Sequence, residues 1–381
     1  MEFLGYKRPD GKVGIRNYLL VVSTVVCANG AARKIASQLS GAVSITHEHG
    51  CGSHYPLDRV NTHKTLVGFG VNPNVGACIV VGLGCEGVDP EKIAADIAES
   101  GKPVECIIIQ NEGGTINSVS KGTRIGRKML ADLSQEKRTA QDISNLILAL
   151  ECGGSDTTSG IAANPALGVA SDMLIDAGGS SILSETTELV GAEHILVERA
   201  INKQIAEDII NVIERAETHG HAQGHDMSNL APGNKKGGLS TVEDKSLGCV
   251  HKGGISPVHE VVEYADKPTQ KGLIIMDTPG YDIESITGMV AGGAQVVVFT
   301  TGRGTPVGCP IAPVIKVTGN TATFLKMEDN IDINAGKIVD GESTVKEVGQ
   351  EIFEEILAAA NGKLVKAEQL DLGEFAIYRG M

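Results

Sequence analysis

Short runs of apolar residues alternate along the chain with longer segments in which apolar positions recur at helical spacing. The apolar runs, most of them continuous and rich in β-branched residues, predict strands at 18–26, 43–46, 77–83, 104–110, 146–150, 180–184, 272–277, 295–300 and 314–317. Amphipathic segments predict helices at 90–100, 116–136, 166–177, 201–218 and 345–360. Continuous apolar strands that alternate with helices are typical of parallel sheets covered on both faces. The pattern therefore predicts an α/β fold in which mainly parallel sheets are flanked by helices.

Two stretches interrupt this pattern. The polar and charged residues 133–142 follow a long predicted helix and precede a new strand. We expect a domain boundary there, with a first α/β domain over 1–137 and a second, C-terminal α/β domain over 138–381. Residues 219–254 mix charged residues with Gly, Ser, Asn and Pro and have no periodicity, so we predict a long irregular loop inside the second domain. Loops of that length in compact domains are usually functional or serve as linkers.

Charge and hydropathy limit the class of protein. The 381 residues carry a formal net charge of −14, which argues against a nucleic-acid partner because such partners need clustered Lys and Arg. No segment approaches 18 consecutive apolar residues, and charges interrupt the first 20. We therefore expect neither a membrane span nor a signal peptide, and a cytoplasmic location.

Glycine is abundant and aromatic residues are scarce. The chain has 48 Gly but only six Tyr, six Phe and no Trp. The glycines cluster after predicted strands, for example at 50–52, 82–87 and 153–154. Such clusters favour tight turns around a polar site, and the shortage of aromatic rings favours a hydrophilic ligand.

Three cysteines, Cys51, Cys85 and Cys152, each stand just past an apolar strand. Ligands of open α/β sheets bind at this carboxyl edge. Three thiols at one edge could hold iron, an iron–sulfur cluster or zinc, whereas the alternative is that each is a small buried residue. We expect His47 to join Cys51 in one site, because imidazole is a common metal ligand, and expect His49 and His54 of the same loop either to be solvated or to contact the ligands without binding the metal.

Other polar residues follow apolar runs and are candidates for acid–base or substrate-binding roles. They are Glu86, Glu112, Ser155, Asp156, Glu185 and Arg303. Carboxylates can act as a general base or bind a metal, and an Arg can bind a carboxylate through two hydrogen bonds. Helix capping is the alternative for each of them. Residues 82–87 also fit the G-x-G-x-x-G pattern, but the Glu86 charge would face a pyrophosphate, so a dinucleotide site is not favoured.

Taken in order, several motifs resemble the altronate/galactarate dehydratase family. They are GYKRPDGKVGIRN at 5–17, HEHGCG at 47–52, GLGCE at 82–86, ECGGSD at 151–156, NPAL at 164–167, ILSET at 182–186, GAEH at 191–194, PGN at 232–234, MDTPG at 276–280 and GEF at 373–375. The resemblance implies a lyase that removes water from a sugar acid to give a 2-keto-3-deoxy acid and that depends on Fe²⁺ or Mn²⁺. The large subunit of sulfolactate sulfo-lyase, which releases sulfite and leaves pyruvate, is a similar relative.

The resemblance also implies partners and roles. Dehydratases of this family begin with a small domain, so we expect a separate small N-terminal-type subunit beside this chain; self-association stays open, as does a non-catalytic binding subunit. We expect His47 with Cys51, Cys85 or Cys152 to hold divalent iron, the alternative being an iron–sulfur cluster. Glu86, Asp156 and Glu185 are candidate bases and His194 a candidate acid. Glu112, Ser155 and Arg303 are expected to bind the substrate.

Overall fold

The computed structural model describes residues 1–52, 56–222 and 230–379. Its strands are β1 (Glu2–Lys7), β2 (Val13–Gly14), β3 (Tyr18–Ser23), β4 (Ala42–Ile45), β5 (Val75–Gly82), β6 (Val104–Ile108), β7 (Thr139–Asp142), β8 (Ile147–Cys152), β9 (Ser180–Leu183), β10 (Val258–Val262), β11 (Gly272–Met276), β12 (Val296–Thr301), β13 (Val314–Thr318) and β14 (Ile333–Asn334). Every strand predicted from the sequence coincides with one of these.

The helices cover much of the remaining chain. They are α1 (Asn29–Ala36), α2 (Pro56–Val71), α3 (Pro90–Ala98), α4 (Thr115–Leu133), α5 (Asn164–Asp176), α6 (Glu193–Val197), α7 (Lys203–Ala222), α8 (Pro232–Lys236), α9 (Val242–Val250), α10 (Asp282–Ala291), α11 (Thr321–Lys326), α12 (Val345–Ala360) and α13 (Lys366–Gln369). The predicted helices correspond to α3, α4, α5, α7 and α12. Among the described residues, no helix is both long enough and apolar enough to cross a membrane.

Two parallel sheets form the framework. The four-stranded sheet has the order β4-β3-β5-β6, and the seven-stranded sheet has the order β10-β11-β9-β8-β12-β13-β14. The pairs within both sheets are parallel. Helices pack against these sheets, so the predicted α/β class is confirmed.

A small antiparallel sheet, β2-β1-β7, joins the start of the chain to the start of the second domain. Its strand β7 lies in the stretch 133–142, which we expected to be a polar boundary. The side chains of β7 are exposed or half-buried, so no apolar alternation marks it as a strand. The Arg138 guanidinium fixes this sheet by donating to the carbonyls of Leu4, Ile15 and Ala360.

The four-stranded sheet buries its two faces differently. Leu19, Val21 and Ile79 face α1 and α4 in a small core. Leu20 and Val80, on the other face, belong to the large core that also contains the seven-stranded sheet. Since successive strand residues point to opposite faces, one sheet contributes to both cores. The two domains therefore share one apolar interior.

The segment 219–254 differs from the irregular loop that we expected. Its described part contains α8 and α9 and a 3₁₀ turn at His251–Gly253. The hydroxyl of Thr241 caps α9 by accepting from the Asp244 amide. These helices are short and interrupted by Gly237 and Gly238, so the sequence shows no sustained period. They bring polar residues to the carboxyl edge of the seven-stranded sheet.

Candidate functional site

A group of charged and thiol side chains is buried at the carboxyl edge of the seven-stranded sheet. These side chains come from four parts of the second domain: the end of β8, the 3₁₀ turn Thr186–Glu188 with the residue before it, α9 with the turn that follows it, and the first residue of α10. This buried cluster consists of Glu151, Cys152, Glu185, Glu188, Lys245, Cys249, Lys252 and Asp282. Gly153 admits Asp282, because a Cβ there would lie 2.4 Å from the Asp282 Oδ2.

Two ion pairs organise the buried cluster. Lys252 pairs with Glu185, and both side chains are fully buried; Lys245 pairs with Glu188. Burial by itself lowers the pKa of Lys252, but Cys152 and Glu185 raise it well above its usual range. Buried charges are tolerated when they are paired. Although burial acts in the opposite direction, Lys245 lowers the pKa of Glu188, whereas burial raises the pKa of Glu185 although Lys252 opposes it.

The carboxyl groups of Glu151 and Glu185 each have one buried oxygen, Oε1, without a hydrogen-bond partner among the described residues. The other oxygen of Glu151 accepts from the Ser285 hydroxyl at 2.7 Å. Burial and the Glu185 charge raise the pKa of Glu151 well above its usual range. The protonated form of Glu151 is therefore favoured beside Glu185.

Glu185 also has an unusual backbone conformation. Its φ of 64° and ψ of 56° lie in the left-handed region, which residues other than glycine seldom adopt. The Glu185 amide donates to the Thr278 hydroxyl at 2.8 Å, and its Oε2 accepts from the Cys152 amide at 3.1 Å. Strain of this kind persists where the surroundings fix a side chain, and it is common at functional sites.

The two thiols of the buried cluster lie side by side. The Sγ atoms of Cys152 and Cys249 are 3.4 Å apart, Cys249 donates to Glu188 Oε2 at 3.0 Å, and the Lys252 ammonium donates to Cys152 Sγ at 3.2 Å. The hydrogen bond with Cys249, together with burial, raises the pKa of the Cys152 thiol. The Cys152 thiol is therefore protonated at neutral pH.

Two sets of side chains have ligand atoms close enough to hold a metal ion. Those of Cys152, Glu188 and Cys249 lie within 4.8 Å of one another, as do those of Glu151, Glu185 and Asp282. The first set offers soft sulfur and one carboxylate, whereas the second offers oxygen only.

A cavity of about 900 Å³ adjoins the buried cluster. It is lined by the loop after β4, by α2, by the second domain and by the C-terminal segment 376–379. Glu188 and Lys245 belong both to the wall of this cavity and to the buried cluster. This ion pair therefore connects the cavity to the buried acids and thiols.

Four cations line the cavity, and three of them contact a carboxylate. Arg215 pairs with Asp277, Lys64 lies 2.5 Å from Asp266, and Lys245 pairs with Glu188. The fourth cation, Arg379, contacts His49 Nδ1 and the Glu48 carbonyl, each at 3.4 Å, and has no acidic partner within the described part of the chain. Arg379 is thus the cation best placed to receive an anionic ligand.

Two cavity-lining groups have pKa values displaced in opposite directions. Burial and the Arg379 charge lower the pKa of His49 to about 4. Burial opposes the charged form of Lys245, but Glu188 raises its pKa above its ordinary value. At neutral pH His49 is unprotonated and Lys245 is protonated, which is the division that acid–base chemistry uses.

The residues predicted in the first domain lie apart from the buried cluster. His47 is buried, its Nε2 donates to the Ser23 carbonyl at 2.8 Å, and its Nδ1 accepts from the His49 amide at 3.1 Å. Both ring nitrogens are therefore used by the backbone. Cys51 and Cys85 are exposed on neighbouring loops, and neither joins either metal-competent set found among the described residues. His54 lies outside the described residues.

Two predicted acids of the first domain have local partners. Glu86 accepts from the Leu83 and Gly84 amides and from the Thr24 hydroxyl. Although burial acts in the opposite direction, these bonds lower the pKa of Glu86. Glu112 forms an ion pair with Lys121 at 2.5 Å. Both acids thus stabilise the loops that carry them.

In the second domain, some of the predicted site residues lie at the buried cluster and others lie elsewhere. Ser155 lies beside the buried cluster, with its Oγ 3.8 Å from Cys152 Sγ. Asp156 accepts from the Ser159 amide and the Thr158 hydroxyl, as a helix cap does. His194 is exposed on α6, and Arg303 donates to the Gly233 carbonyl. The structure thus brings together Cys152, Glu185 and Ser155 of the predicted site.

Sequence reasoning missed Lys245, Cys249 and Lys252, which all come from the segment that we expected to be irregular. Their separations of four and three residues are a usable signal, because such spacing places side chains on one helical face. Glu188 carries no comparable signal in the sequence, and Glu151 belongs only to the motif at 151–156.

Comparisons with known proteins agree with the motifs. Residues 143–381 match the family described as D-galactarate/Altronate dehydratase, C-terminal. Residues 5–134 match D-galactarate dehydratase/Altronate hydrolase, second domain. Altronate dehydratase of Bacillus subtilis is 36% identical over 99% of this chain and 77% of its own length.

Two further relatives differ in their named activities. Galactarate dehydratase (L-threo-forming) of Escherichia coli is 37% identical over 95% of this chain and 73% of its own length. The (2R)-sulfolactate sulfo-lyase subunit beta of Chromohalobacter salexigens is 36% identical over 99% of this chain and 97% of its own length. The activity that these relatives have in common is that of a lyase.

Proposed function

The chain belongs to the D-galactarate/altronate dehydratase family, and from this membership we propose that it is a lyase that removes water from a sugar acid. The observation that carries the proposal is the cavity of about 900 Å³, where Arg379 has no acidic partner in the described chain and where His49 and Lys245 are in opposite protonation states. A cavity of this size accommodates a sugar acid.

The proposed reaction is a β-elimination. Arg379 binds the carboxylate of the substrate, and unprotonated His49 takes the proton from the carbon next to that carboxylate. Lys245 donates a proton to the departing hydroxyl, which leaves as water. The resulting enol converts to a 2-keto-3-deoxy acid. Positioned acid and base groups of this kind usually accelerate proton transfer by about 10²–10⁴-fold each.

A divalent iron fits the set Cys152, Glu188 and Cys249 better than the oxygen-only set. Sulfur donors favour Fe²⁺ over Mn²⁺, and the loss of two thiol protons would balance the charge of the ion. In the other set, burial and the Glu185 charge favour the protonated form of Glu151, and a ligand must lose its proton to bind a metal. When bound, the ion would act as a Lewis acid that stabilises the negative charge developing on the substrate carboxylate.

Sulfite release from sulfolactate is the second candidate reaction. It is favoured by the relative named as a sulfo-lyase subunit, which matches this chain over 97% of its own length. The elimination needs the same base and the same carboxylate binding, with sulfite leaving instead of water. Because that relative is by name a subunit, we also propose a smaller partner subunit for this chain.

The reaction is tested by supplying Fe²⁺ under anaerobic conditions and measuring 2-keto acid release from a panel of sugar acids and from sulfolactate. We expect turnover of a sugar acid without sulfite. Sulfite and pyruvate from sulfolactate would select the second candidate, and no product from any acid, with a small partner subunit supplied, would contradict both.

Matched variants test the assigned roles. We expect His49→Gln to lower kcat by about 10²-fold or more, whereas His194→Gln, on an exposed histidine, leaves it unchanged. Cys249→Ser should lower the iron content, whereas Cys309→Ser, a buried cysteine outside the cluster, should not. Loss of activity in His194→Gln would contradict the role of His49 and restore His194 as the candidate acid, whereas loss of iron in Cys85→Ser but not in Cys249→Ser would place the metal site in the first domain.

A further inference from the structure

Positive charge is concentrated on two helices of this acidic protein. Helix α1 carries no acidic residue and α4 carries only Asp132, although the whole chain has a net charge of −14. The basic residues of the two helices are Arg33, Lys34, Lys121, Arg124, Arg127 and Lys128. Charge separated in this way produces a local positive potential within a negative overall field.

A groove of about 510 Å³ lies between these two helices. Its polar lining includes Lys34, Arg124 and Arg127 together with the hydroxyls of Ser120 and Thr123, and no carboxylate lines it. Each of the three cations lacks an ion pair with any acidic group of residues 1–52, 56–222 and 230–379. Positions 120, 124 and 127 follow helical spacing, so α4 presents them on one side.

The groove is separate from the cavity that we assign to the lyase reaction. Helices α1 and α4 pack on the face of the four-stranded sheet that forms the small core, whereas α2 packs against α10 of the second domain. The groove and the cavity share no lining residue. A ligand in the groove would therefore not compete with the sugar acid for space.

We propose that this groove binds a phosphate-bearing small molecule. Guanidinium groups match phosphate oxygens with paired hydrogen bonds, and hydroxyl groups can donate to the remaining oxygens. Three cations without acidic neighbours favour a ligand with several negative charges over a singly charged acid. Ile116 and Val119 add an apolar wall for the part of the ligand that carries no charge.

Pyrophosphate is the probe for the test, with binding to the full-length protein measured by isothermal titration calorimetry at low salt. Arg124→Ala and Arg127→Ala should each weaken the affinity by about tenfold or more, as expected for the loss of a charge-assisted hydrogen bond. Arg33→Ala and Lys128→Ala are the matched controls, since they remove exposed charges of the same helices outside the groove. They should change the affinity less than about threefold.

Other outcomes overturn the proposal. Equal losses in groove and control variants, or equally tight binding of malonate, would mean non-specific attraction to positive charge. Binding of polyglutamate but not of pyrophosphate would identify a docking surface for an acidic protein instead. No pyrophosphate binding by a wild-type protein whose circular dichroism shows it to be folded would also refute the phosphate site. Lyase activity does not enter this test, so its outcome is independent of the proposed reaction.

Discussion

Single residues in the buried cluster balance its charge. The ion pairs Lys252–Glu185 and Lys245–Glu188 cancel, and protonated Glu151 contributes no charge. Asp282 is the remaining acid: burial, with the charges of Glu185 and Glu188, raises its pKa to about 7. Its neutral form is therefore favoured in the folded protein, and the cluster gains a negative charge only as the pH rises through 7.

The raised pKa of Asp282 makes the free energy of unfolding depend on pH. Because its pKa is raised from 3.8 to about 7 in the folded protein, the folded state binds more protons between these values and stability falls as pH rises through that range. The resulting change in the free energy of unfolding is roughly 4 kcal/mol. We expect Asp282→Asn to flatten this part of the profile of unfolding free energy against pH. The profile is measured by urea unfolding of chelator-treated protein.

The control for this prediction is Asp132→Asn, which changes an exposed aspartate on α4. The profile of that variant should follow the wild type between pH 4 and 7. An Asp282→Asn profile that also follows the wild type would show that Asp282 is ionised in the folded protein.

At the scale of elements, the sequence predicted those strands and helices whose burial produces a clear pattern of apolar residues. Strands such as β5 and β12 are buried along their whole length and appear as continuous apolar runs. Helix α9 has only nine residues and contacts the π-helical turn Ser159–Ala163 through glycine, so nothing periodic marks it. Within the buried cluster, the sequence singled out only Cys152 and Glu185, which follow strands, because the partners from α9 depend on tertiary packing.

The position of α9 depends on Gly248. A Cβ at Gly248 would lie 3.0 Å from the Gly160 Cα, whereas a Cβ at Gly30 in α1 would meet nothing within 4 Å. We expect Gly248→Val to displace α9 and lower the free energy of unfolding by about 1–3 kcal/mol, since overpacking forces the backbone to shift. Cys249 should then react faster with a thiol reagent.

Gly30→Val is the matched control, because it places the same side chain in a helix at an open position. It should leave both stability and thiol reactivity close to the wild type. An equal effect of the two substitutions would mean that helix propensity alone, and not contact between α9 and the π-helical turn, decides the outcome.

At the scale of the whole molecule, the two domains are joined by buried amides as well as by apolar contacts. The Asn72 amide donates to the Val290 and Ala294 carbonyls at 2.8 and 2.9 Å. Asn74 donates to Gln295 and Ile311 at 2.9 and 2.8 Å. These bonds hold the first domain on the second, and the cavity that contains His49 and Lys245 lies between surfaces from both.

A shared interior and these buried bonds predict that the two domains unfold together. We expect the wild-type protein to show a single thermal transition in calorimetry, with equal calorimetric and van't Hoff enthalpies. Asn74→Ala leaves two buried carbonyls without donors and should cost about 2–5 kcal/mol. Asn117→Ala, which removes an exposed amide on α4, should cost less than about 0.5 kcal/mol. Two separate wild-type transitions would contradict a common core, and the cavity would then lie between independently folding domains.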